Sequence, residues 1–239
     1  MPPPPEVAAA LPAPLVPATS GAGSAAATPG GGGIDPASFR HPVANPYFPL
    51  RPGTLSVLRG SNDGVALEQQ VRVTRRTKVI EGVRATVIED SLHRADGSIA
   101  EQTVDWYAAD DRGNVWYLGE QTATYDEQGN VLSRDGSWQA GQDGATAGII
   151  MPADPRPTLA YRQELRRGHA EDQAWIVQND ATSTVPYGKL NKVVRSFEWT
   201  RLEPDVVSVK LYAPGLGVVH EGDVAGGTES FDLVSVSSR

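Results

Sequence analysis

Hydrophobic and polar residues alternate along much of this chain. In "VALEQQVRVTRRTKVI", Val65, Leu67, Val71, Val73 and Val79 share one parity, and Glu68, Gln70, Arg72, Thr74, Arg76 and Lys78 share the other. A period of two predicts a strand with one buried and one wet face. Turn signals then recur. "RADG", "DDRG" and "DEQG" place Gly97, Gly113 and Gly129 sixteen residues apart, and Glu81-Gly82 lies about one period earlier. In the last two an Asp stands three residues before the Gly, the chemistry of a type I turn closed by a left-handed Gly. Strands of about 35 Å fit between such turns at roughly 3.3 Å per residue. Four consecutive hairpins make an antiparallel meander.

"GSWQAGQDGATAGIIMPADPRP", residues 136–157, breaks the rhythm and reads as an ordered excursion over the sheet or its end. Strands resume at "LAYRQELRR" and "DQAWIVQ", then "KVVRSFEWTRL", "VVSVKLYAP", "GVVHEG" and "ESFDLVSVS". The predicted fold is therefore all-β, with about nine or ten strands in a single antiparallel domain over residues 46–239. Residues 1–45 form a Pro/Ala/Gly-rich leader or linker, expected to be disordered because it holds too little apolar surface to offset its ordering entropy. Within it, Asp35 as N-cap and Pro36 at the first helical position predict one short helical turn.

The opening of the second hairpin carries the candidate chemistry. "DWYAADDRGNVWYLGE", residues 105–120, has a Trp-Tyr pair on each side of its turn. If Ala109 faces Asn114, Trp106 lies opposite Tyr117 and Tyr107 opposite Trp116. One face then carries Val104, Trp106, Val115 and Tyr117, an ordinary core face. The other carries Thr103, Asp105, Tyr107, Trp116, Leu118 and Glu120. This second face is either an exposed cross-strand pair, worth about 0.5–1.5 kcal/mol to the hairpin, or the lining of a concavity. In the latter case the aromatics hold an apolar or planar ligand and Asp105 and Glu120 orient it. Trp138 and Met151, from the 136–157 excursion, complete the candidate ligand-binding set. The adjacent Glu171 and Asp172 should point to opposite faces, and one of them needs a partner near buried surface.

The chain has 239 residues and no cysteine, which excludes disulfides, thiol nucleophiles and Cys-metal sites. Its net charge of −8 and acidic pI repel phosphate backbones, so no nucleic-acid partner is expected. No apolar run approaches the roughly 20 residues of a membrane helix, and the N-terminus lacks the basic start of a signal peptide. His41, His93, His169 and His220 have no ligand-type spacing. Asp126, Asp143 and Asp154 lie outside any D-x-D-x-D-G loop, so no metal is expected. There is no G-x-S-x-G, P-loop or dinucleotide motif, and no cofactor is predicted. Catalysis could fall only to Asp105 and Glu120 as paired carboxylates.

"NPYFPLRPGT", "DWYAADDRGNVWYLGE", "GSWQAGQDGATAGIIMPADP", "AEDQA", "VPYG" and "LYAPGLGVV" together resemble an uncharacterised family of exported or lipid-anchored bacterial proteins. The likeness covers residues 45 to about 222. The "PYG … YAPGLG" ending is also similar to the closing strands of lipoprotein-carrier-type half-barrels, which implies a curved sheet or half-barrel around an apolar ligand. The family likeness implies an extracytoplasmic location, secreted or tethered to the cell envelope; the alternative is cytoplasmic. The expected function is a non-catalytic binding or accessory protein whose aromatic-lined sheet face takes a small apolar ligand, a lipid or a partner segment. The alternatives are a hydrolase or isomerase using Asp105 and Glu120, and an interaction module that binds by strand addition.

Overall fold

A computed structural model describes residues 34–238, so most of the expected leader, residues 1–33, lies outside the described residues. The described chain is all-β and antiparallel. Its long strands are β1 (Thr54–Asn62), β2 (Val65–Ile80), β3 (Val83–Arg94), β4 (Ile99–Ala109) and β5 (Val115–Tyr125). Short strands β6 (Val131–Ser133) and β7 (Trp138–Gln139) follow, then β8 (Thr146–Met151), β9 (Ala160–Arg162) and β10 (Glu164–Leu165). The chain ends with β11 (Gln173–Val185), β12 (Gly188–Trp199), β13 (Val207–Ala213), β14 (Gly217–Ala225) and β15 (Ser230–Ser238). The four turn glycines, Gly82, Gly97, Gly113 and Gly129, all have positive φ, as the turn chemistry requires.

The fifteen strands exceed the nine or ten expected, and most of the excess is β6, β7, β9 and β10, which are only two or three residues long. Segments this short carry no readable period. They are also what closes the sheet. The strand order runs β10-β8-β5-β4-β3-β2-β1-β15-β14-β13-β12-β11-β9. Its two ends, β9 and β10, are neighbours in the chain, separated by Gln163 alone. The sheet therefore curls until its ends meet, a nearly closed barrel. The seam is tight: a Cβ on Gly148 would sit 2.5 Å from the carbonyl oxygens of Arg162 and Gln163. Beyond Ile176, which exchanges backbone hydrogen bonds with Thr158 and Leu159, the outer side of β11 pairs with no strand among the described residues. It carries Gln178, Asn179 and Asp180, and its pairing with β12 is broken by three register shifts. Such bulged polar edges discourage strand addition.

Residues 34–43, ahead of the first strand, pack onto the sheet. Asp35 Oδ1 accepts from Ala37 N–H and caps the short 3-10 turn Pro36–Phe39. Phe39 packs edge-on against Trp116, with centroids 6.0 Å apart. Ile34 joins the same core, and Val43 N–H donates to the Asp110 carbonyl. The even alternation in β2 also fails at its far end. The pairing with β3 shifts between Val73 and Thr77, leaving Val79 63% exposed and Ile80 buried.

The central hairpin differs from the expected register by one residue. Ala109 pairs with Val115, Ala108 with Trp116, and Tyr107 with Tyr117. The cause is the Asp110 side chain. Its carboxylate accepts from the backbone N–H of Arg112 and Asn114, from Asn114 Nδ2 and from Trp116 Nε1, at 2.8–3.0 Å. Together with Asp110 N–H donating to the Asn114 carbonyl, these bonds place Asp110 opposite Asn114 and move every later pair by one. A second irregularity follows between Asp105 and Tyr107, where β5 has one residue more than β4. Gly119 permits it, with φ 134° and a virtual Cβ 2.4 Å from the Trp138 carbonyl oxygen. The two displacements add, so Asp105 pairs with Glu120 rather than with Leu118, and a shift of two residues returns the pair to one face, as the alternation expects.

Asp126 repeats the same D-x-x-G-N turn at the surface, accepting from Gln128 N–H, Asn130 N–H and Asn130 Nδ2. Only Asp110 is buried, 5% exposed. Replacing Asp110 with Ala leaves several donors unpaired away from water, so D110A should lower stability by about 2–3 kcal/mol. D126A, whose donors are free to turn to solvent, should change it far less. Urea unfolding of the two variants followed by tryptophan fluorescence checks the difference.

Candidate functional site

The inner face of the closed sheet is polar. Strands β2 to β5 send Gln69, Asp90, Glu101, Asp105, Tyr107, Tyr117 and Glu120 into a chamber of about 330 Å³. From the other side come Gln163, Glu164, Asp172, Glu198, Lys210, Glu221 and Glu229. Nine carboxyl groups thus face one lysine. A second compartment of about 170 Å³ is continuous with the chamber, sharing Gln69, Asp90, Asp105, Tyr107 and Lys210. Its remaining walls are mostly apolar: Phe48, Leu58, Val71, Val73, Leu216 and Val218.

A strap closes over this apolar compartment. Asn45 Nδ2 donates to the carbonyls of Gly113 and Pro152, its Oδ1 accepts from Tyr47 N–H, and Gly215 N–H donates to the Pro46 carbonyl. Residues 45–51 therefore run from the β4–β5 turn to the β13–β14 turn. Between these anchors Phe48 packs on the Tyr107 ring, with centroids 4.9 Å apart. The "NPYFPL" stretch is this strap, a role its sequence does not disclose.

The electrostatics follow from enclosure. Tyr107 and Tyr117 stack at 4.6 Å, and both hydroxyls donate to Asp105 Oδ1, at 3.4 and 2.6 Å. Burial raises the Asp105 pKa to about 6, against the lowering effect of these two donors. Burial, reinforced by the Asp105 charge, pushes Glu120 up to about 9. Glu229 is pushed up to about 7, mainly by burial. Asp90 is raised well above the usual carboxylate range by burial and by Asp105 and Glu221, although Gln69 Nε2 donates to it at 2.9 Å. Glu164 and Asp172 are raised too, by burial first, and for Glu164 by Asp172 next.

Lys210 is the counterweight. Burial alone would lower its pKa, but Glu198 at 3.7 Å and Glu221 at 3.5 Å, with Glu229 and Asp172 beyond, raise it instead. Its side chain keeps 31% accessibility and lines both compartments. Glu198 is further held by Ser196 Oγ and Tyr212 Oη, which donate at 2.8 and 2.9 Å.

Of the seven ligand-binding residues expected from sequence, the structure gathers Asp105, Tyr107 and Glu120 in the chamber. Trp116 lies on the opposite face, under Phe39, as does Trp106, whose ring is covered by Lys78 Nζ at 3.2 Å. The ring beside Tyr107 is Tyr117, not Trp116, a consequence of the one-residue register difference. Leu118 and Met151 are fully buried core residues, and Trp138 packs edge-on against Tyr117 at 5.3 Å. Trp138 Nε1 and Glu164 Oε2 lack partners of hydrogen-bond geometry, although the indole is close enough to favour the carboxylate. Glu171 and Asp172 do diverge. Glu171 accepts from Gly168 N–H and lies 3.9 Å from Arg201, while Asp172 enters the chamber.

Sequence reasoning missed Lys210, Asp90, Gln163 and Tyr117 as lining residues. The alternation in "VVSVKLYAP" correctly groups Ser208, Lys210 and Tyr212 on one face. Nothing local states that this polar face is the inner one. Among the described residues no group of three or more His, Cys, Asp or Glu side chains is placed to hold a metal ion. No helix among them is long and apolar enough to cross a membrane.

No family model matches the chain. No curated protein matches it either. Two crystal structures are similar in shape. One is an inferred exported protein with a YmcC-like fold from Bacteroides fragilis NCTC 9343, with TM-score 0.48, 13% identity, and coverage of 82% of this chain and 100% of that one. The other is an inferred lipoprotein from Parabacteroides distasonis ATCC 8503, with TM-score 0.45, 11% identity and the same coverage.

The raised carboxyls make stability depend on pH. Folded pKa values above the unfolded ones mean that the folded state binds more protons, so stability falls as pH rises. For Glu120 the fall begins near its unfolded value of 4.5 and is complete above about 9. At ~1.4 kcal/mol per pKa unit, the unliganded protein should lose on the order of a few kcal/mol between pH 5 and pH 9. E120Q should flatten that dependence. Thermal unfolding across this range measures both.

Proposed function

We propose that this protein is a non-catalytic binding protein that holds a small ligand inside its closed sheet. The single observation that supports this reading is the two-part cavity: an apolar compartment under the Phe48 strap, continuous with a polar chamber below Tyr107. Its combined size falls in the ordinary range of small-molecule sites, roughly 300–1,000 Å³. The ligand's apolar part lies against Leu58, Val71 and Leu216, and its polar end reaches the chamber. In this reading Tyr107 holds the ligand, and Asp105 and Glu120 orient its polar end. The extracytoplasmic location rests on the sequence resemblance, and fractionation of the native cells tests it.

A second reading has one observation in its favour. Asp105 and Glu120 are cross-strand neighbours whose surroundings push their pKa values apart, to about 6 and about 9, the pattern of an acid and a base. Recovery of a bound ligand chemically unchanged after prolonged incubation favours binding; its conversion, lost in D105N and E120Q, favours catalysis.

N-phenyl-1-naphthylamine, a neutral probe that brightens in apolar surroundings, tests the binding reading. Native protein should enhance its fluorescence saturably. S56W or V71W, each filling the apolar compartment, should weaken probe binding at least about tenfold at unchanged circular dichroism. W116A, on the opposite face, should leave it within about twofold. Enhancement that ignores the filling variants but is lost in W116A overturns the cavity as the site.

A further inference from the structure

We propose that the ligand of this cavity is an organic ammonium compound, with its cationic group held in the carboxylate chamber and its apolar body under the strap. This inference rests on the binding reading above and names the class of ligand.

The first argument is charge. Lys210 reaches Glu198 and Glu221 directly. Glu120 and Glu164, which also line the chamber, have no cation within salt-bridge distance among the described residues. Buried carboxylates without a counterion are strongly disfavoured, and a bound cation is the direct remedy.

The second argument is independent of the acids' number. Gln163 is 3% exposed, lines the chamber at the seam of the sheet, and its amide nitrogen has no hydrogen-bond partner. Two acceptors that line the same chamber also lack a partner of hydrogen-bond geometry: Gln69 Oε1, and Glu164 Oε2, which has only the Trp138 indole near its carboxylate. A half-turn of the Gln163 amide exchanges its nitrogen for its carbonyl oxygen, which adds a third acceptor. Acceptors buried without donors call for a ligand rich in donors, and an ammonium carries three and no acceptor.

Geometry then selects the kind of cation. The carboxyls converge on a volume of about 330 Å³, yet no three of them are close enough to coordinate one metal ion. They line a space sized for a molecular cation. Tyr107 and Tyr117 also line this space, their rings packed on each other, on Phe48 and on Trp138. The apolar compartment next to them has no use for a bare ion and accommodates an alkyl or aromatic body.

Displacement of N-phenyl-1-naphthylamine by three ligands of equal chain length tests this: octylamine, a cation at neutral pH; 1-octanol, neutral; and octanoate, an anion. Octylamine should displace the probe at a concentration at least about tenfold lower than octanol, with octanoate weakest. E120Q/E164Q keeps the shape of the chamber and relieves buried charge, so it should fold at least as well as the parent. In it, the preference for octylamine over octanol should shrink to within about twofold. K210M, which removes the resident ammonium, should keep or strengthen the preference.

Equal displacement by octylamine and octanol overturns the ammonium assignment while leaving the binding reading intact. An amine preference unchanged in E120Q/E164Q places the amine elsewhere and also overturns it. Saturable calcium binding that blocks octylamine and vanishes in E120Q/E164Q would make the occupant a metal ion instead. Failure of the probe itself to bind would remove the binding reading and this inference together.

Discussion

A sheet that curls until its ends meet must turn one face of every strand inward, and the short step from β9 through Gln163 to β10 enforces that closure here. The enclosed face is not an apolar filling. It carries Asp90, Asp105, Glu120, Glu164, Asp172 and Lys210, of which Asp105 and Glu164 are buried outright. The raised acidities, the orphaned acceptors and the chamber itself are consequences of one topological fact. An open sheet with these side chains would leave them hydrated and unremarkable.

The protein meets the resulting electrostatic stress unevenly. On the β12–β14 wall, Lys210 binds Glu198 and Glu221, and Ser196 and Tyr212 supply further donors. On the β3–β5 wall, Asp105 is held by two tyrosine hydroxyls, which lower its pKa without supplying a full charge. Glu120 and Glu164 have less support still. Buried carboxyls left in this state either take up protons or attract a cation, and a binding site gains affinity from the difference between the two. Empty, the chamber favours protonation and a fold more stable in mild acid; occupied by a cation, the same groups become ion-pair partners.

The frame around the chamber is held by features of a different kind. Asp110 gathers four donors and fixes the register of β4 against β5. Gly119 and Gly148 allow backbones to approach where any side chain would collide. Asn45 pins the strap to Gly113 and Pro152. On the outside, Trp106 and Trp116 are covered by Lys78 and Phe39, so both faces of the β3–β5 region are packed. That resolves the presence of aromatics on both sides of the central hairpin: Trp116 secures the N-terminal segment to the outer face, Trp106 packs there under Lys78 of β2, and the tyrosines line the inner one.

Local sequence determined the strands, their antiparallel order through β5, the glycine turns and the helical turn at Asp35, because period-two alternation and turn chemistry are properties of neighbouring residues. It also grouped Ser208 with Lys210 and Tyr212, and Asp105 with Glu120, on common faces. It did not decide which aromatic stands beside Tyr107, since a pair of Trp-Tyr steps fits either register and the choice falls to bonds made by the Asp110 side chain. Nor did it place Gln163, Asp172 and Lys210 in one chamber with Asp105 and Glu120, because the β9–β11 hairpin that joins Gln163 to Asp172 meets β5 and β8 only through closure of the sheet. Alternation tells which residues share a face. Only the tertiary structure decides whether a polar face looks out to water or into a cavity, because inside and outside are properties of the whole sheet rather than of any strand.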